Sequence, residues 1–109
     1  MTRWRTLLRP PVEADRPRPA GTQAIGGLTP RSRARIAGRV VSITYQPKGA
    51  PPAFVARVSD GTGTIGLVFL GRVEVPGIVA GRHLVATGTV GNSSGLPIMY
   101  NPSYELLPR

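Results

Sequence analysis

Arginine dominates the chemistry available to this chain. Of its 14 basic residues 13 are arginine, set against five carboxylates, for a net charge of +9. A guanidinium stays charged at any ordinary pH and presents a planar fork of donors that matches phosphate oxygens. The charge is unevenly spread. Residues 1–39 hold nine arginines against Glu13 and Asp15, a net of +7, whereas residues 40–109 hold five basic and three acidic groups, a net of +2. That asymmetry describes a basic arm on a nearly neutral domain, an arrangement suited to a polyanionic partner. Catalytic candidates are sparse by comparison. His83 is the only histidine, the carboxylates are scattered, and serines 42, 59, 93, 94 and 103 have no base beside them in the sequence. Neither a metal site nor an acid–base pair is prepared, so a non-enzymatic protein without metal or cofactor is expected. There are no cysteines, which excludes disulfides and thiolate chemistry. Gly61-Thr62-Gly63-Thr64-Ile65-Gly66 matches G-x-G-x-x-G, but a dinucleotide site needs a helix to begin there. The residues run on instead as Thr64-Ile65-Gly66-Leu67-Val68-Phe69, a strand pattern, and the match is discounted. Asn92-Ser93-Ser94 reads as turn chemistry.

The elements that must position these arginines follow from composition. At 109 residues the chain has room for one domain. Residues 1–32 carry Pro10, Pro11, Pro17, Pro19 and Pro30 with glycines at 21, 26 and 27, and read as a flexible, mostly disordered basic arm. Trp4, Leu7 and Leu8 would share one face of a helix too short to hold in water by itself. Met1–Pro11 lacks the apolar run of a signal peptide, so a cytoplasmic location is expected, and no stretch is long enough to span a membrane. From Arg33 onward, short apolar runs alternate with turn signals, the pattern of an all-β domain. Five strands are expected, over residues 33–44, 54–59, 64–70, 83–90 and 97–107, followed by a tail at 108–109. Pro102 should bend the last of them. Asp60-Gly61-Thr62-Gly63 is a tight hairpin turn, residues 91–95 form a second hairpin loop, and residues 46–52 form a longer loop. Gly38 and Gly88 lie inside strand patterns, where a small barrel needs sharp corners to close.

Three segments occur in the order used by OB-fold nucleic-acid-binding domains: Ile-Ala-Gly-Arg-Val-Val-Ser-Ile (36–43), Val-Ser-Asp-Gly-Thr-Gly-Thr-Ile-Gly-Leu-Val-Phe (58–69) and Gly-Arg-His-Leu-Val-Ala-Thr-Gly-Thr-Val (81–90). Residues 33–107 are similar to the OB barrels of tRNA anticodon-binding domains. With Phe-Leu-Gly-Arg (69–72) and Asn-Pro-Ser-Tyr-Glu-Leu (101–106) they more closely resemble small stand-alone OB-fold proteins of actinobacteria. The resemblance implies a five-stranded OB-type β-barrel that binds single-stranded DNA or RNA. Arg72 to Gly81 departs from the pattern, being too short and too rich in Pro and Gly for the helix many OB folds place there, so no long helix is expected.

Strand parity then places the arginines. Ile36, Gly38 and Val40 share one face, and Arg31, Arg33, Arg35 and Arg39 share the other. In the next two strands Val55, Arg57, Gly66 and Val68 face outward, while Phe54 and Phe69 belong to the core. The ligand face of an OB fold centres on strands two and three. The expected nucleic-acid site is therefore Arg33, Arg35, Arg39 and Arg57 on the barrel, with Val55 at the usual stacking position. Lys48 and Arg72 flank the track, and Tyr45 offers a stacking surface. Tyr100, Tyr104 and Trp4 are the other aromatic candidates, with Tyr104 expected beneath the barrel. Such a face is basic but smooth, which implies weak sequence preference. A monomer is expected, and the alternative function is a protein-interaction or scaffold module using the same face.

Overall fold

The computed structural model describes residues 18–46 and 52–108, and contains six strands and one short 3-10 turn. The strands are β1 (Arg33–Gln46), β2 (Ala53–Ser59), β3 (Thr64–Leu70), β4 (His83–Ser93), β5 (Leu96–Tyr100) and β6 (Ser103–Leu106). They form one sheet in the order β1-β2-β3-β5-β4-β6, and β1 also pairs with β4. That last pairing closes β1, β2, β3, β5 and β4 into a ring, with β3 and β5 parallel and the other pairs antiparallel. The expected five-stranded barrel is present. No helix among the described residues is long and apolar enough to cross a membrane.

The core is the inward half of each alternation. Ile36, Val40, Val58, Ile65, Leu67, Leu84 and Met99 are fully buried, with Phe54 and Phe69 edge to face at 6.2 Å. Tyr104 packs on Phe69 at 5.9 Å and donates its hydroxyl to the Pro76 carbonyl, beneath the barrel as expected. Where many OB folds place a helix, residues 71–82 make a series of turns, and Val75 and Ile78 are buried in the core instead. The last expected strand is split in two. Asn101 adopts a left-handed conformation (φ 50°) ahead of Pro102, so β5 pairs with β3 and β4 while β6 returns to pair with β4. The second hairpin is tighter than expected. Ser94 and Gly95 both have positive φ (54° and 84°), the geometry of a two-residue type I′ turn, which lets β4 and β5 pair up to Ser93 and Leu96.

β1 carries two distortions. At Gly38 an added Cβ would lie 2.6 Å from the Ser59 carbonyl oxygen and 2.7 Å from Val58 Cγ1, so only glycine lets β1 pass this close to β2. Between Val40 and Ser42 the β2 register skips one residue, leaving Val41 as a bulge.

The packed chain begins ahead of β1, inside the stretch expected to be a flexible arm. Ile25, in the 3-10 turn Ile25–Gly27, is 2% exposed and belongs to the core. Its amide donates to Asp60 Oδ2 (2.9 Å), and the Gly26 amide donates to Thr62 Oγ1 (2.9 Å). Asp60 Oδ1 in turn accepts from the Thr62 amide, the Thr62 hydroxyl and the Gly63 amide, so one carboxylate organises both the β2–β3 turn and the incoming strap. Gln23 fills the free edge of β1, donating its amide to the Arg35 carbonyl and accepting the Arg35 amide on its side chain. The proline- and glycine-rich composition concealed a segment held by Ile25 in the core, by partly buried Leu28 against it and by hydrogen bonds to Arg35, Asp60 and Thr62. The Trp4, Leu7 and Leu8 helix expectation lies outside the described residues.

Two outcomes follow. Gly38→Ala should destabilise the barrel by about 1–3 kcal/mol through overpacking, read as a lower urea midpoint at unchanged slope. Partial burial alone would raise the Asp60 pKa, but the Thr62 hydroxyl and the amides of Ile25, Thr62 and Gly63 hold it below the ordinary carboxylate range. A carboxyl with a depressed folded pKa contributes stability above its unfolded pKa and loses it as pH falls through the folded value. The stability gap between the native protein and Asp60→Asn should therefore be largest above about pH 5 and shrink as the acid range is entered. A gap independent of pH in urea titrations contradicts this role.

Candidate nucleic-acid interface

The outer surface of the ring is organised in rows across the strands. Directly opposed residues share a face, so the pairings Thr44–Val55, Val55–Val68 and Val68–Tyr100 define one row over β1, β2, β3 and β5. The adjoining row runs Ser42–Arg57, Arg57–Gly66 and Gly66–Ile98. Gly66 leaves space that Ile98 and Val55 fill from either side, since an added Cβ would meet Ile98 at 3.4 Å and Val55 at 3.9 Å. The result is a low apolar floor with half-buried Val55 and Val68 at its centre. Tyr100, 58% exposed, stands on one side and exposed Arg57 lies in the next row. Leu70, 43% exposed, continues the floor toward the end of β3. Beyond it Gly71 turns the chain (φ 73°), its amide bound to the Pro52 carbonyl, and carries exposed Arg72 past the strand end. Arg57 and Arg72 thus bracket the apolar floor.

The remaining arginines do not all join this face. β1 gives its first half to β4 and its second half to β2. Arg39 sits at the junction, opposite both Ser59 and His83, and is half-buried. Arg33 and Arg35 lie opposite Thr89 and Thr87, on the part of the ring formed by β1, β4 and β6. Arg35 contacts the Thr87 hydroxyl at 3.4 Å and Glu105 at 3.8 Å. Arg31 drops out of the strand alternation, because its φ of 68° is left-handed. The expected single stripe of arginines is therefore two groups on a curved surface, Arg39 with Arg57 and Arg33 with Arg35.

The closed order of strands now stands beside solved structures. No protein-family model matches the sequence, and no curated protein does. The replication factor A related protein from Methanobacterium thermoautotrophicum superposes with a TM-score of 0.62 at 15% identity, over 79% of this chain and 90% of that one. OBody AM1L10, bound to hen egg-white lysozyme, gives a TM-score of 0.61 at 20% identity, over 84% and 97%. A chain of a Replication Protein A heterotrimer bound to ssDNA gives 0.55 at 16% identity, over 87% and 72%. The chain has the OB fold. At these identities the likeness extends to the fold alone.

Within that barrel the expected site residues are distributed unevenly. Val55 and Arg57 lie on the outer face of β2 as parity required, and Arg39 is one strand away. Tyr45 is a correction. The bulge at Val41 reverses the alternation of β1, so Tyr45 shares the side of Ile43 and lies opposite core residue Phe54, not on the face of Arg57. Tyr100, which the sequence offered only as one aromatic candidate among several, is the exposed aromatic next to Val68. Its position depends on β5 lying parallel beside β3, a long-range pairing with no local signal. Lys48 lies outside the described residues.

Proposed function

We propose that this protein is a non-enzymatic, cytoplasmic binder of single-stranded DNA or RNA, using the outer face of β2, β3 and β5. The observation that carries this reading is Tyr100 beside Val68 and Val55, with Arg57 in the adjoining row. A base can stack on the phenol ring and rest on the valines, while the Arg57 guanidinium meets a backbone phosphate. In this reading exposed Arg72 meets the backbone beyond the Leu70 end of the apolar floor, and Arg39 adds charge on the Arg57 side. Stacking tolerates any base and phosphate contacts carry no sequence information, so weak sequence preference follows. The Replication Protein A heterotrimer, one chain of which shares this fold, is bound to ssDNA, which supports the reading.

The same apolar floor favours a second reading, a protein-interaction module, and OBody AM1L10 is an OB-fold neighbour bound to a protein. A pull-down repeated after nuclease treatment separates the two, because a partner bridged by nucleic acid is lost and a direct partner is kept.

Fluorescence anisotropy with labelled single strands tests the first reading. If about five phosphates are neutralised, the log–log dependence of affinity on salt has a slope of roughly −3 to −4. Lack of binding at about 50 mM salt, where such contacts are strong, overturns the proposal. Tyr100→Ala should cost about 1–3 kcal/mol of binding, whereas Tyr45→Ala should leave affinity unchanged. Equal losses from the two substitutions would show that the stacking surface is misplaced.

A further inference from the structure

The outer surface of β1, β4 and β6 differs in chemistry from the apolar floor. Its pairings Arg33–Thr89, Arg35–Thr87, Thr87–Ser103 and Val85–Glu105 place two guanidiniums, three hydroxyls and one carboxylate on one surface. The apolar positions of this surface, Ala37 and Val85, are buried, and none of the seven residues in these pairings is aromatic. Such a surface can hold phosphates, and its pairings bring no Phe, Tyr or Trp ring on which a base would stack. It is continuous with the floor through β1 itself, because Arg39 is paired with Ser59 on β2 and with His83 on β4.

We propose that a bound single strand does not end at Arg57. It continues past Arg39 along the first half of β1, where Arg35 and Arg33 hold its backbone by phosphate contacts alone. This inference rests on the single-strand reading above and extends it from one face to a track around the barrel. Ser42, opposite Arg57, lies nine residues from Arg33, about 25–30 Å along the strand after allowance for the bulge. A short oligonucleotide on the floor cannot reach the second surface, but one at the long end of the roughly 4–16 nucleotides an OB fold covers can. Arg35 is also held by Glu105 at 3.8 Å, with both side chains exposed, so an arriving phosphate displaces a weak ion pair.

The test uses the full chain with labelled, unstructured single strands of about 5 and about 15 nucleotides, lengths set by that site-size range. Salt slopes are compared as well as affinities, because a longer strand gains affinity merely from offering more registers, and that gain leaves the slope unchanged. Replacing Arg33 and Arg35 together by alanine should make the slope for the long strand shallower by about 1.4, at about 0.7 per phosphate, and leave the short strand unaffected. Glu105→Gln should tighten binding of the long strand by about two- to fivefold, the range an exposed ion pair supports, again without effect on the short one. All three side chains are exposed, so neither variant should disturb the fold. If the double variant changes neither slope, or changes both equally, the track is wrong while binding of the short strand by the native protein keeps the floor intact. If the native protein binds neither strand, the floor reading falls and the track falls with it.

Discussion

β1 must serve two partners at once. Its first half pairs with β4 and its second half with β2, and the ring closes only because one strand carries both ladders. An undistorted strand of 14 residues would run out of the barrel instead of wrapping it. Gly38 allows backbone and side chains of β2 to come closer than any Cβ would permit, and the bulge at Val41 adds twist immediately after the two ladders overlap. The core, the placement of Arg39 and the separation of the outer surface into two chemistries all follow from that shared strand.

The divided duty leaves β1 with a free edge alongside its first half. Gln23 covers it, with backbone donor and side-chain acceptor both engaged by Arg35. The strap is then held by Asp60, a carboxylate already committed to its own turn. Gly26 and Gly63 meet back to back at this point, where an added Cβ on Gly63 would come within 3.0 Å of the Gly26 backbone. The turn sequence Asp60-Gly61-Thr62-Gly63 therefore has two roles, reversing the chain and receiving a distant segment. Only the first could be read locally.

What the sequence made legible is what local alternation controls. Strand β3 was expected at its observed limits, the inward positions of β2 and β3 were all correct, and the loop from Arg72 to Gly81 lacks a helix for the compositional reason anticipated. Alternation fails where one extra residue intervenes. Beyond Val41 every β1 side chain changes face, which moved Tyr45 off the proposed binding surface. Curvature was equally invisible. Arg35 and Arg57 both point outward, yet a barrel turns outward through a full circle, so equal parity does not mean a common face. Ile25 was missed because a lone isoleucine among prolines and glycines carries no periodicity, and its burial depends on a carboxylate 35 residues away.

Placement of Tyr100 changes the character of the interface. A smooth basic surface holds its ligand by charge alone, but one exposed ring over a floor of valines adds an interaction that survives as salt rises. A single ring is still a small platform. The nearest polar side chains in the two rows are the hydroxyls of Ser42 and Thr44 and the guanidinium of Arg57, which suit a sugar–phosphate backbone better than a unique base edge. On the proposed reading, length of strand, more than its sequence, sets the affinity. Each further phosphate engaged along β1 adds attraction, whereas each further base meets no second ring in the rows around Tyr100.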